Sequence, residues 1–374
     1  MIVPRPAINL LSLVTAVLYC ALMFASCKKG DVGGTVTPIN TDTKPLGVIK
    51  LTGVVSGSNK KLTLSIVNLG SVTVNKDCTL STMVAGLDMD ASGILPASMI
   101  GPSGFVFTGD SIIYNGITLT NKAGVVTHGD MLNATKLYGN LAYATMTFGD
   151  GSATQITTKR IPFFLYYKAV DATGATVAAH GADFFGVGPG VSSGNKLISS
   201  PLSYLPVSGN LMSGFKLSMA TFNAGVQQAA CLLTIGLTPT DLEASSGFNL
   251  HPLAALPNNA GYASYIQGTV VYNSTSLAGQ IAFNTAYTST AILQDSKYTG
   301  TTYSALPPGA TVHIVTNNGF NYLYTVSATA NLTGIENPTS SGETRNIFGI
   351  DFFMQNELLI DYTDHQLGVK NVVR

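Results

Sequence analysis

Apolar and polar residues alternate over short stretches of this chain, which is the pattern of half-buried β-strands. The alternation is clear at residues 49–55 and 61–69, and β-branched residues continue it at 71–74. Glycine, asparagine, aspartate and proline separate these stretches and favour turns. Gly, Thr, Ser, Val, Tyr and Phe are plentiful while Lys and Glu are scarce, a composition that favours short strands and turns over helices. The chain is therefore predicted to be all-β, built from many short strands.

Two local elements can be placed within this pattern. Residues 111–119 read as a hairpin whose turn is Asn115-Gly116, the pair that type I′ turns favour. Ser200 followed by Pro201 predicts one short helical turn, because serine caps helices and proline fits their first position; Pro206 would end it.

The N-terminal segment has the features of a targeting sequence. Arg5 supplies a positive charge, and residues 10–24 form an apolar run of signal-peptide length. The run ends in Ala25-Ser26-Cys27, which is similar to a bacterial lipobox and to lipoproteins of Bacteroidetes-type bacteria. We expect a signal peptide at 1–27, a lipid on Cys27, a flexible tether at 28–47 and a location in the cell envelope. An ordinary signal peptide or an uncleaved anchor is the alternative, and the sequence does not choose between the periplasmic and surface sides.

Composition and charge limit which classes of binding partner can be expected. Only 10% of the 374 residues are charged and the formal net charge is zero, so nucleic acid is not an expected partner. No cofactor is indicated, and the absence of a CxxC or Cys/His cluster argues against a metal. Cys78 and Cys231 would either form one disulfide or stay as two buried thiols. The five histidines show no ligand spacing and are expected in surface loops.

Two stretches of the chain repeat one another, residues 84–100 and 280–293. In each, an apolar run leads into a small polar turn, Asp88-Met89-Asp90 in the first and Asn284-Thr285-Ala286 in the second. These turns resemble the two Asp-Thr-Gly turns of pepsin-like aspartic proteases. Two further segments, Phe184-Phe185-Gly186 and Ile347-Phe348-Gly349, are similar to the hydrophobic-hydrophobic-Gly segments of that family.

The resemblance implies an all-β fold of two lobes, 48–210 and 211–374, related by pseudo-two-fold symmetry with a cleft between them. Tyr138-Gly139 falls where the family carries the tip of a hairpin flap over the cleft. Asp88 would hold the position of the catalytic base, and Asn284 would stand at the second aspartate. Thr285 keeps the hydroxyl that cross-links the two turns in the family.

Aspartic proteolysis needs two carboxylates that share one proton. Asn284 cannot supply a carboxylic proton, so the resemblance implies a fold without efficient proteolysis. Asp90 is a possible substitute for the missing acid, or else it binds local amides in an Asx-type turn. A Gly-x-Ser-x-Gly motif at 190–194 lacks the strand–turn–helix context of a serine nucleophile.

Three functions follow as hypotheses. The first is an envelope lipoprotein that binds a peptide, protein or glycan in its cleft or on its loops. The second is an unusual aspartic peptidase that uses Asp88 with Asp90, or with Asn284 and a water molecule. The third is a structural or adhesive surface protein.

Overall fold

A computed structural model describes residues 43–56, 59–129, 134–150, 154–223, 228–287 and 291–372. The predicted signal peptide, Cys27 and residues 28–42 of the tether lie outside these ranges. Within them, no helix is long and apolar enough to span a lipid bilayer.

The described chain is almost entirely β-structure, which confirms the predicted fold class. The strands of its first part are β1 (Gly47–Ser56), β2 (Asn59–Leu69), β3 (Val72–Ser81), β4 (Ala85–Asp90), β5 (Ile100–Gly101), β6 (Gly104–Phe105), β7 (Ser111–Tyr114), β8 (Ile117–His128), β9 (Thr135–Ala144), β10 (Met146–Gly149), β11 (Gln155–Thr157), β12 (Ile161–Val170) and β13 (Phe184–Val187). The later strands are β14 (Met212–Leu217), β15 (Thr221–Asn223), β16 (Gln228–Leu237), β17 (Asn249–Pro252), β18 (Tyr265–Tyr272), β19 (Thr275–Phe283), β20 (Ala291–Gln294), β21 (Ser304–Ala305), β22 (Thr311–Thr316), β23 (Asn321–Thr325), β24 (Thr333–Glu336), β25 (Asn346–Phe348), β26 (Asn356–Asp361) and β27 (Gln366–Asn371).

Helical structure among the described residues is limited to single turns. The α-helical turns are α1 (Pro239–Leu242) and α2 (Pro338–Ser341), and the 3-10 turns are Ala97–Met99, Pro201–Tyr204, Ala244–Ser246, Pro257–Asn259 and Ile350–Met354. The turn predicted after Ser200 is confirmed: the Ser200 hydroxyl accepts a hydrogen bond from the Leu202 amide at 3.3 Å.

The strands form two main sheets. Strands β18–β25 make an eight-stranded sheet in the order β21-β24-β20-β25-β19-β18-β22-β23, and β5 pairs with β6 alone. The other seventeen strands are linked into one sheet system, in which β1 pairs with β16 and β14 pairs with β26. Because pairing in this system joins strands before and after residue 210, the lobe boundary at that position stays a prediction.

A three-strand arrangement occurs twice and sets the geometry of the site. In the first copy, β13 runs parallel to β3 and antiparallel to β4. In the second, β25 runs parallel to β19 and antiparallel to β20. The central strands β13 and β25 are the two predicted hydrophobic-hydrophobic-Gly segments. Gly186 is needed in the first, because a Cβ there would lie 2.7 Å from the Val84 carbonyl oxygen.

The predicted hairpin is also confirmed. Strands β7 and β8 pair around Asn115-Gly116, and both turn residues have positive φ angles, 46° and 80°, as a type I′ turn requires.

Most buried apolar side chains belong to one large core, which includes Cys78 and Cys231. Both thiols are buried and free, so the disulfide alternative is not realised. A second, smaller cluster contains Val126, Phe164 and Tyr166.

Candidate functional site

Two equivalent turns face each other, one between β3 and β4 and the other between β19 and β20. The Thr82 hydroxyl donates to the Phe283 carbonyl at 2.6 Å and accepts from the Thr285 amide at 3.2 Å. The Thr285 hydroxyl donates to the Leu80 carbonyl at 2.6 Å. Each threonine thus bonds to the carbonyl that lies two residues before the other, so Thr82 and Thr285 hold equivalent places. Thr285 has the cross-linking role that the resemblance implied.

The residue before each of these threonines is polar but not acidic. The Ser81 hydroxyl donates to Asn284 Oδ1 at 3.1 Å, and the Ala286 amide donates to the same oxygen at 3.0 Å. Asn284 is therefore paired with Ser81, not with Asp88. Asp88 lies inside β4, outside the first turn. The expectation that Asp88 and Asn284 hold equivalent positions is wrong.

The sequence did contain a signal for the correct pairing. Leu80-Ser81-Thr82 has the same order of apolar residue, small polar residue and threonine as Phe283-Asn284-Thr285. A search for acidic residues leads instead to Asp88, since the first turn retains no carboxylate.

Asp88 is nevertheless part of a polar pair in the site. Its Oδ2 lies 2.8 Å from Nε2 of His128, the last residue of β8. Both residues are buried, and the His128 ring packs against Phe184 with centroids 4.2 Å apart. Burial raises the pKa of Asp88 above its ordinary value of 3.8; the contact with His128 opposes that rise and the Asp183 carboxylate adds to it. Asp88 Oδ1 and His128 Nδ1 have no hydrogen-bond partner within the described chain.

Asp90 is held by backbone amides. Its carboxylate accepts from the Ser92 amide at 2.8 Å, an Asx-type turn, and from the His180 amide at 3.1 Å. The Asp90 amide in turn donates to Asp183 at 2.8 Å. Asp183 also accepts from the Tyr166 hydroxyl at 2.7 Å and lies 2.8 Å from His180 Nδ1. The Asx-type alternative for Asp90 is the one that the structure realises.

Tyr138 and Gly139 are not at a hairpin tip. They lie within β9, where Tyr138 pairs with Val125 of β8 on one side and with Lys168 of β12 on the other. The connection that follows β8 begins next to His128 instead. The flap assignment to Tyr138-Gly139 is therefore wrong; this dipeptide belongs to the interior of a sheet.

A cleft of about 380 Å³ opens beside the Asp88–His128 pair. We call it the Asp88 cleft. On the β4–β8 side its lining includes Asp88, Thr127, His128, Ser192, Ser193 and Lys196. On the other side the lining includes Leu256, Tyr262, Ala263, Tyr265 and Arg345.

The two cations of the Asp88 cleft are held differently. Arg345 forms an ion pair with Glu343, with Nη2 to Oε2 at 2.5 Å and Nε to Oε1 at 2.7 Å. Lys196 is exposed and donates to the Asn258 carbonyl at 3.1 Å. The Gly-x-Ser-x-Gly motif at 190–194 contributes Ser192 and Ser193 to the lining, and residues 195–200, which follow it, contain no helix.

The expectation that all histidines occupy surface loops is wrong for three of them, and one of these, His313, lies on strand β22. His128 and His251 are buried on strands β8 and β17, and burial lowers the pKa of His251. No group of three or more metal-ligating side chains occurs among the described residues.

Comparison with solved structures finds a likeness to the aspartic proteinase from Irpex lacteus. The TM-score is 0.54 at 16% sequence identity, and the match covers 87% of this chain and 97% of that chain. No protein-family model and no curated protein matches the sequence. At this identity the likeness shows the fold alone, and the chain has a pepsin-like fold.

Proposed function

We propose that this chain is a non-proteolytic binding protein that holds a polypeptide segment in its Asp88 cleft. The observation that carries the proposal is the Ser81–Asn284 pair. An aspartic protease activates water with two carboxylates that share one proton. At the two equivalent positions here stand a hydroxyl and an amide, 3.1 Å apart. Neither group works as a general base near neutral pH, so the dyad chemistry has no residue to perform it.

A peptidase built on Asp88 has less support. Among the described residues, the Asp88 carboxylate bonds to His128, whereas the Asp90 carboxylate accepts from the amides of Ser92 and His180. The two carboxyl groups thus have separate partners, and no hydrogen bond joins them in the described part of the chain. A pair made of one carboxylate and one imidazole differs from the aspartic dyad in charge and in proton count.

The binding half of the proposal rests on the cleft. Its volume of about 380 Å³ lies within the range of ligand pockets. Hydroxyls, a buried acid–imidazole pair and two tyrosines line it, which gives hydrogen-bonding groups and apolar surface together. A peptide offers both kinds of group along its length.

We also propose that Cys27 anchors the protein in a bacterial envelope, from the lipobox-like sequence that ends at this cysteine. The test is metabolic labelling of the full chain with a fatty-acid analogue. Label in the parent and none in Cys27→Ser would support the anchor, and equal label in both would reject it.

The function is tested by exposing the full chain to a mixed peptide library between mildly acidic and neutral pH. We expect peptides to be retained and none to be cleaved. Cleavage by the parent that vanishes in Asp88→Ala would overturn the proposal in favour of a peptidase.

A blocking variant shows whether retention occurs in the cleft. Ser193 is exposed and lines the cleft, so Ser193→Trp should weaken retention at least about tenfold by filling space. Ser111 is also exposed but does not line the cleft, and Ser111→Trp is the matched control. Equal retention by both variants would place binding elsewhere.

A further inference from the structure

The Asp88–His128 pair leaves hydrogen-bonding capacity unused at the wall of the cleft. Asp88 is 1% exposed and His128 is 8% exposed. Only one atom of each is engaged in their mutual contact, so Asp88 Oδ1 and His128 Nδ1 lack partners among the described residues. A buried polar atom without a partner destabilises the folded protein. Both residues line the Asp88 cleft, so a bound molecule is a natural source of the missing partner.

The charges around this pair identify what kind of partner fits. Asp90 follows Asp88 by two positions on β4 and its amide donates to Asp183, and the imidazoles in contact with Asp88 and Asp183 are His128 and His180. When the carboxyls are ionised, the cluster is net negative even with both imidazoles protonated. A cation with N–H donors would satisfy Asp88 Oδ1 and offset the excess negative charge at the same time.

The cations already present do not fulfil this role. Arg345 is neutralised by Glu343, and Lys196 is exposed with its ammonium on a carbonyl oxygen. Among the described residues no Lys or Arg forms an ion pair with Asp88. The cleft therefore has a buried acid that its own lysine and arginine side chains do not pair with.

We propose that Asp88 and His128 form a subsite for a cationic nitrogen, an ammonium or guanidinium group, carried by the polypeptide that the cleft binds. This inference rests on the proposed function, because it names the part of the ligand that the cleft selects. Asp88 Oδ1 accepts the charged N–H, and His128 holds the carboxylate in place through Oδ2. The cation would come from a lysine or arginine side chain or from a free amino terminus.

The test measures binding to the full chain by NMR, through the imidazole signals of His128 assigned with His128→Gln. The probes are N-acetyl-Ala-Lys-Ala-amide, its norleucine counterpart, Ala-Ala-Ala-amide with a free amino terminus, and spermidine. We expect the lysine peptide to bind about tenfold or more tightly than the norleucine peptide, as one charge-assisted hydrogen bond allows. The free-amine peptide distinguishes an amino terminus from a side chain as the source.

Two variants test whether Asp88 is the source of the preference for the lysine peptide. Asp88→Asn keeps the shape and removes the charge, and it should abolish the preference for lysine. Asp110→Asn makes the same charge change at an exposed residue outside the cleft and should leave the preference intact. Thermal unfolding of each variant shows whether it is folded, and the comparison of lysine with norleucine on the unaltered chain requires no variant.

The outcomes separate the two proposals. Equal binding of lysine and norleucine peptides would overturn the cation subsite while peptide binding stands. Binding of spermidine that depends on Asp88, with no peptide bound, would support the subsite and overturn the proposed polypeptide ligand. If no probe shifts the His128 signals, the subsite is rejected.

Discussion

Ser81 Oγ and Asn284 Oδ1 lie 3.1 Å apart, joined by a hydrogen bond between residues 203 positions apart in the chain. They precede Thr82 and Thr285, whose hydroxyls bond to the opposite turn, so the two residues are equivalent by the repeat of the fold. A neutral pair at this place carries no repulsion between like charges. The turns can therefore stay buried and close together without the shared proton that two carboxylates need.

Placing an acid at both positions is predicted to create a coupled pair. In Ser81→Asp with Asn284→Asp, two close carboxylates should share one proton, which raises the pKa of one of them. The folded state then binds an extra proton relative to the unfolded chain, so stability falls as the pH rises through that raised pKa. A pKa that is higher by one in the folded state corresponds to about 1.4 kcal/mol of stability lost in this way.

Denaturant unfolding at several pH values measures this effect, and peptide cleavage at acidic pH is the second readout. Each single variant adds only one buried carboxylate, so it should lose less stability at neutral pH than the double variant and should not cleave peptides. A single Asn284→Asp variant that cleaves peptides would contradict the assignment of Ser81 as its partner.

Replacing Thr82 and replacing Thr285 should lower the free energy of unfolding by different amounts. The Thr82 hydroxyl both donates to the Phe283 carbonyl and accepts from the Thr285 amide, whereas within the described part of the chain the Thr285 hydroxyl bonds to the Leu80 carbonyl alone. Thr82→Val thus leaves two buried backbone groups unpaired, and Thr285→Val leaves one. We expect a loss of about 2–4 kcal/mol for the first and about 1–3 kcal/mol for the second.

Chemical denaturation gives both unfolding free energies. The serine substitutions at the same positions keep the hydroxyls and should cost clearly less than the valines. Equal losses for Thr82→Val and Thr285→Val would show that the acceptor role of Thr82 is unimportant.

Tyr138 and Gly139 should behave as parts of a sheet. A Cβ on Gly139 would lie 2.1 Å from the Leu165 carbonyl oxygen and 2.5 Å from Tyr166 Cα, so Gly139→Ala should cost about 3 kcal/mol or more. Tyr138→Ala should leave retention of peptides unchanged, because Tyr138 does not line the Asp88 cleft. Retention lost in a folded Tyr138→Ala protein would restore the flap interpretation.

The sequence was sufficient for the fold class because that information is local. Alternation of apolar residues predicts strands, Asn115-Gly116 predicts its turn, and the two hydrophobic-hydrophobic-Gly segments mark strands that enter the repeated arrangement. The site was harder to predict from the sequence, because it is formed by residues that lie more than 200 positions apart in the chain and come into contact only in the fold. Asp88 stands out as an acid, but β4 places it beside His128, and no local pattern links those two residues.

The ionisation of Asp88 gives a prediction that needs no ligand. Burial is the main reason why its pKa in the folded protein lies above 3.8, with Asp183 adding to the rise and His128 opposing it. Between the ordinary carboxyl pKa and this raised pKa, the folded protein holds a proton that the unfolded chain has lost. The contribution of Asp88 to stability is thus most favourable below about pH 3.8, and it is lost as the pH rises through the folded pKa.

Asp88→Asn removes this titration while it keeps the size of the side chain. Relative to the parent, the variant should therefore gain stability as the pH is raised from 3.8 towards neutrality, and the difference should become constant above the folded pKa. Urea unfolding of both proteins across this pH range measures the difference, with Asp110→Asn as the control for a carboxyl that is exposed. A difference between Asp88→Asn and the parent that shrinks with rising pH would show that the contact with His128 outweighs burial and lowers the pKa of Asp88 instead.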